Sequence, residues 1–312
     1  MIFGKPDSRV VPFWYIRRLI IQCFLVKCRI FCLGLLWGAC LTLLGCSSVR
    51  PSNSERQPAI KSKWTQHGGL GIYIEVEHAE QLEAAFAIKC STLVIGTNSA
   101  IVDMSRFSPL FPDELKQLEI HNSIATNLPN LAGCNLTRLR VVNSRLQDIS
   151  GLESAKVGEV DIAYSSVHTL DPLRGSGVYY LDIGRTAIKS LADIEAEPIR
   201  LLFINNLQIS DFSSLEAMQL VSFGARKTNI KSLDPLRQSS LQFLDIRETE
   251  VDDLSPLSGQ PLEDISFDFW QIRAGWDAIM QCDTLEKLNG EPAQEALEYW
   301  RSRLISEAQQ SQ

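Results

Sequence analysis

From Leu115 to Pro261 the chain repeats one pattern seven times, in units of 21 residues without a single insertion. The units begin at Leu115, Leu136, Val157, Val178, Ile199, Leu220 and Leu241. A period of about 20–29 residues confines a chain to a solenoid, because each copy is one small unit that buries its apolar side only against the next. A chain of 312 residues could hold two ordinary domains, but an array of this kind absorbs most of that length into one.

With the first residue of each unit as position 0, position 3 holds Leu118, Leu139, Val160, Leu181, Leu202, Phe223 and Leu244. Position 5 holds Ile120, Val141, Ile162, Ile183, Ile204, Ala225 and Ile246. Apolar residues two apart predict a short strand with one face buried. Position 10 is again aliphatic, from Leu146 to Val251, and positions 13 and 16 give pairs such as Leu170 with Leu173 and Leu233 with Leu236. Six buried aliphatic side chains contribute on the order of 10 kcal/mol per unit. Ordering 21 residues costs more than that, so one unit is unstable alone and stacking is obligatory. Proline in Asp171-Pro172-Leu173, Asp234-Pro235-Leu236 and Ser255-Pro256-Leu257 marks the return segment as a 3₁₀ turn rather than a helix.

The resulting pattern, L-x-x-L-x-I-x-x-T-x-I-x-x-L-x-P-L, resembles the short leucine-rich repeats of bacterial internalin-like proteins. The resemblance implies an α/β repeat solenoid: a horseshoe or arc with a parallel sheet on the concave face and 3₁₀ or turn segments on the convex side. It also implies recognition of a protein ligand through the concave face.

A solenoid exposes its core at each end, so atypical ends are expected to act as caps. Residues 68–89 read as an N-terminal strand–helix cap, with Ile72, Ile74 and Val76 on the strand and Ala79–Ile88 as the helix. Gly68-Gly69-Leu70-Gly71 completes no phosphate-binding motif and reads as a turn. Residues 90–284 form the array, whose first unit, Cys90 to Glu114, is irregular. Residues 285–312 read as a helical C-terminal cap and tail, with Asn289-Gly290 turning the chain ahead of a helix that Pro292 opens.

The front of the chain has a different character. Residues 30–46, IFCLGLLWGACLTLLGC, are apolar behind Lys27 and Arg29, the layout of a secretory signal. The ending Leu43-Leu44-Gly45-Cys46 resembles the bacterial lipobox, which implies cleavage after residue 45 and a membrane anchor through acylated Cys46. A plain transmembrane anchor with a chance cysteine is the alternative. Ser47 after the cysteine implies the outer membrane, by resemblance to enterobacterial lipoproteins. From Val26 onward the signal has complete proportions, so translation is expected to start there. Residues 46–67, rich in Ser, Pro, Arg and Gln, read as a lipidated flexible tether.

Residues 1–45 carry six basic side chains and one acid; without them 24 basic residues face 36 acidic ones, a net charge of −12. That charge repels phosphate backbones and argues against a nucleic-acid partner. Three cysteines remain beside Cys46, namely Cys90, Cys134 and Cys282, too far apart in sequence for a zinc motif and expected to be buried thiols. No motif for a nucleotide, a metal or another small-molecule cofactor occurs.

The resemblance implies that binding falls on the outward strand positions 2, 4 and 6. Most are polar, but Tyr180, Leu201, Phe203 and Phe243 are not. Exposed aromatic and aliphatic groups clustered among charges have the composition of a binding hot spot. Asp182, Asp245, Arg185, Arg226 and Arg247 are expected to form its charged rim, and Asp161, beside Asp182 in the next coil, to belong to the same ion-paired binding surface. The leading expectation is a non-catalytic recognition module of the bacterial envelope. A hydrolase, or a regulatory subunit of one, using Asp161, Asp182 and His121 is the second reading, and a structural spacer the third.

Overall fold

The computed structural model describes residues 60–64, 70–76, 79–97 and 103–300. All of these belong to one compact unit, Arg56–Gln312. The expected signal segment, Val26, Cys46 and the tail from residue 301 lie outside the described residues. Among the described residues, thirteen strands form one sheet in strict sequence order. The first, β1 (Ile60–Trp64), runs antiparallel to β2 (Leu70–Val76). Strands β2 to β12 (Lys287–Leu288) are mutually parallel, and β13 (Glu291–Pro292) turns back antiparallel on β12. This is the expected leucine-rich repeat solenoid.

Register carries the sequence period directly into space. Tyr180 of β7 (Tyr180–Asp182) pairs with Leu201 of β8 (Leu201–Phe203). Leu201 pairs with Ser222 of β9 (Ser222–Gly224), and Ser222 with Phe243 of β10 (Phe243–Asp245). Each step is 21 residues, so every position of the unit becomes a column running across the sheet. The position-3 column, Leu139, Val160, Leu181 and Leu202, is fully buried, and so is the position-5 column at Ile162, Ile183 and Ile204. The aliphatic pairs at positions 13 and 16 close the far side of the core, on 3₁₀ turns such as Asp171–Leu173 and Asp234–Leu236. Proline stands at the start of both turns, where its fixed φ and missing N–H are tolerated.

Three columns, at positions 7, 8 and 19, hold the coil geometry. Position 7 is left-handed in all seven units: Asn122, Asn143, Tyr164, Arg185, Asn206, Lys227 and Glu248 have φ between 52° and 63°. The chain leaves the strand there, and in three of the seven units a threonine at position 8 locks the bend. Its hydroxyl donates to the position-5 carbonyl in Thr186→Ile183, Thr228→Ala225 and Thr249→Ile246, at 2.7–2.8 Å. Position 19 stitches one coil to the next. Gln260 accepts from the Leu241 amide and donates to the Leu236 carbonyl, both at 3.0 Å, and Glu197 takes the amides of Gly175 and Gly177. These bonds satisfy buried backbone groups that no strand ladder reaches.

The ends differ from expectation in instructive ways. The tether expected over 46–67 does not extend through residues 60–64, because these form β1. Pairing supplies hydrogen bonds to the otherwise open edge of β2. The N-terminal cap is itself a coil of the array: Gly71 of β2 pairs with Thr92 of β3 (Thr92–Thr97), a step of 21, with helix α1 (Ala79–Phe86) as its return segment. The step from Thr92 to Gln117 of β4 (Gln117–His121) is 25, so the four extra residues of the irregular unit lie between strands. Near the other end, Asp264 of β11 (Asp264–Ser266) pairs with Lys287, a step of 23 that accommodates the short helix α2 (Trp276–Met280). Asn289 and Gly290, with φ 54° and 85°, make the turn into β13, and residues 293–300 are helical. Cys90 and Cys134 are buried thiols and Cys282 is half-buried, all three free.

The left-handed column yields a stability prediction. Lys227→Gly relieves a strained backbone and raises stability by about 1 kcal/mol, whereas Lys227→Val lowers it by about 1–2 kcal/mol, because β-branching at positive φ is the worst case. Urea unfolding of the two variants should show midpoints on opposite sides of the parent's.

Candidate binding surface

The strands are short, so each one offers only two side chains to the face opposite the core. In β7, β8 and β10 the middle residues Leu181, Leu202 and Leu244 point inward, and the flanking ones are half-buried on the outer face. Register brings Tyr180 beside Leu201 and Asp182 beside Phe203. The rings of Tyr180 and Phe203 lie 5.6 Å apart, tilted by 47°. Phe203 in turn has Gly224 as its register partner on β9. A Cβ at Gly224 would come within 2.7 Å of the Phe203 ring, so the missing side chain is what lets that ring lie down. Ser222 and Gly224 are both buried, which makes β9 a floor between Leu201 and Phe203 on one side and Phe243 on the other. The four apolar residues expected as a hot spot therefore form one patch over β7 to β10.

The expected charged rim resolves into pairs. Arg247 is bonded to Asp245 on its own coil, through Nε at 2.8 Å. Arg226 reaches across to Glu248, with Nε at 2.9 Å. Arg185, in the left-handed column, lies over the Tyr164 ring at 4.9 Å, one coil back. On the other side of the patch, Arg138 of β5 (Asn135–Val142) bonds Glu159 of β6 (Lys156–Asp161) at 2.6 Å, and the Tyr179 hydroxyl donates to Glu159 at 2.7 Å. Arg140 bonds Asp161 at 3.2 Å.

Asp182 is different. It is the register partner of Asp161, it accepts the Gly184 amide at 3.0 Å, and among the described residues it forms no ion pair. Burial first, and the neighbouring Asp161 charge second, push its pKa up to about 7. Burial also raises Asp161, against the pull of Arg140. On β11, burial and then Asp245 push Asp264 up to about 6.

His121 does not join the aspartates. It bonds Glu119 on its own strand at 2.9 Å, and its register neighbour is Val142 of β5, so Asp161 and Asp182 lie two and three strands further on. At roughly 4.8 Å per strand that separation precludes a shared proton. Among the described residues no group of three His, Cys, Asp or Glu could hold a metal ion.

Several outer-face features are visible only in three dimensions. Tyr179 and Tyr164 are exposed, at 38% and 66%. Tyr179 occupies space left by Gly158, where a Cβ would be 2.8 Å from its ring. These glycine–aromatic pairs are 21 residues apart in sequence, a signal readable only once the columns are aligned. At the far end Phe269, Trp276 and Trp300 stack, with Phe269 and Trp300 centroids 4.1 Å apart, and cover the last coil.

Asp182 sets a pH dependence. Its folded pKa lies above the ordinary 3.8, so between about pH 4 and pH 7 the folded chain holds a proton that the unfolded chain has released. Stability contributed by that proton falls as pH rises through this window. Asp182→Asn should leave stability nearly unchanged at pH 4 and raise it increasingly above that, by on the order of 1–3 kcal/mol at pH 8, as read by urea unfolding at both pH values.

No protein-family model and no curated protein matches the chain. Among solved structures it is similar to an internalin from Listeria monocytogenes, at 18% identity and a TM-score of 0.45, over 70% of this chain and 79% of that one.

Proposed function

We propose that this protein is a non-catalytic recognition module, anchored by a lipid at Cys46 to the bacterial cell envelope, and that it binds a protein ligand through the outer face of its sheet. One observation carries the reading. The fold needs inward residues at positions 3 and 5, yet Tyr180, Leu201, Phe203 and Phe243 place large apolar groups on the opposite face, where they stabilise no core. A patch of aromatic and aliphatic groups over a floor of Ser222 and Gly224, edged by paired charges, has the anatomy of an interface core with its rim.

The lipobox-like Leu43 to Cys46 supports the membrane anchor, and Ser47 favours the outer membrane. Two or more acyl chains make such an anchor stable, since each buried CH₂ adds roughly 0.8 kcal/mol.

Both halves are testable. Leu201→Ser with Phe203→Ser should leave the unfolding midpoint close to the parent's and reduce partner recovery from envelope extracts at least tenfold. Unchanged recovery by that variant would count against the outer face. Cys46→Ser should abolish palmitate labelling and move the protein out of the membrane fraction. A variant still labelled and still membrane-bound would remove the anchor.

A further inference from the structure

The uncompensated carboxylate beside two aromatic rings says what kind of partner the patch fits. Asp182 lies between Tyr180, two residues before it on the same face, and Phe203, its register partner on β8. The nearby cations are engaged elsewhere: Arg140 with Asp161, Arg138 with Glu159, and Arg185 over the Tyr164 ring. From β8 the outer positions bring Leu201, Phe203 and Asn205, none of them charged, and from β9 come Ser222 and Gly224. Asp182 therefore faces one like charge, Asp161, across the strand, and the one cation that acts on it, Arg140, is ion-paired with Asp161.

We infer that Tyr180, Asp182 and Phe203 form a receptor for the guanidinium of an arginine on the partner protein. This rests on the reading of the outer face as an interaction surface and deepens it. A guanidinium carries the charge that Asp182 lacks, offers two parallel N–H donors to a carboxylate, and is a flat cation attracted to an aromatic face within about 6 Å. Lysine supplies a point charge alone and uses the rings less well. Charge complementarity extends beyond the site, since the chain behind residue 45 carries a net −12 and steers basic partners toward it. The raised pKa of Asp182 fits the same role, because an incoming cation relieves both its desolvation and its repulsion by Asp161.

The test uses the full chain in neutral detergent, with a fluorescent arginine octapeptide and the isosteric but uncharged citrulline octapeptide as probes. The arginine peptide should bind and the citrulline peptide should not. At pH 8, Asp182→Asn should lower arginine-peptide affinity at least tenfold, Phe203→Leu several-fold, and Asp277→Asn, on α2 away from the patch, should have no effect. Between pH 8 and pH 6 the parent should lose up to about tenfold in affinity as Asp182 takes up its proton, and Asp182→Asn should lose none. Equal losses for Asp182→Asn and Asp277→Asn would mean diffuse attraction and overturn the receptor, as would equal binding of both peptides. If the arginine peptide fails to bind while Leu201→Ser with Phe203→Ser still loses the envelope partner, the receptor falls and the interaction reading stands.

Discussion

Everything in this molecule depends on stacking in register. A coil of 21 residues cannot hold itself together, because its six apolar side chains stabilise it by less than ordering the coil costs. Held between two neighbours, the same coil buries those side chains completely, as Leu181, Ile183, Leu191 and Ile194 show. The requirement propagates to both ends, where a parallel array would present an open edge. Here β1 closes one edge and β13 the other, each by turning antiparallel. Stability of such an array is shared between neighbouring coils rather than concentrated in any one.

The same requirement divides the labour among positions. Inward positions 0, 3, 5, 10, 13 and 16 are held to apolar side chains by the core. Position 7 bends, a threonine at position 8 locks the bend in three units, and polar residues at position 19 such as Glu197 and Gln260 tie adjacent coils. The outward strand positions are released from all of this, and they vary most: Glu159, Tyr180, Leu201, Ser222, Phe243 and Asp264 follow one another in a single column. A recognition surface can be written there without disturbing the fold. One cost does appear, in Asp182, whose desolvated carboxylate beside Asp161 lowers stability at high pH while leaving a charge ready for a partner.

Most of the fold was legible before any coordinates. Period gave the architecture, and aliphatic positions two apart gave the strands, because burial depends on spacing alone. Leu201, Phe203, Tyr180 and Phe243 also read correctly as outward residues, since alternation decides which face a side chain takes. Their environment did not read. The absence of a side chain at Gly224 matters only because Phe203 lies one column away, and Ser222 becomes a floor only because its neighbours are large. β1 was missed because Ile60–Trp64 sets three consecutive polar residues between Ile60 and Trp64 and so shows no alternation, and its partner strand supplies what its own sequence lacks. The left-handed column was hidden because three asparagines share it with Tyr164, Arg185, Lys227 and Glu248, residues rarely associated with positive φ. His121 does not share a site with Asp161 and Asp182, because two and three strands separate it from them.

The central claim is that one face of the sheet meets the partner and the return side does not. Photo-crosslinking in intact cells tests it most directly, with a photoreactive residue placed in turn at Phe203, at Phe243 and at Glu216, which is exposed on the return side. The account predicts the same crosslinked protein from Phe203 and Phe243 and none from Glu216. Crosslinks of equal yield from all three positions, or from Glu216 alone, would contradict it.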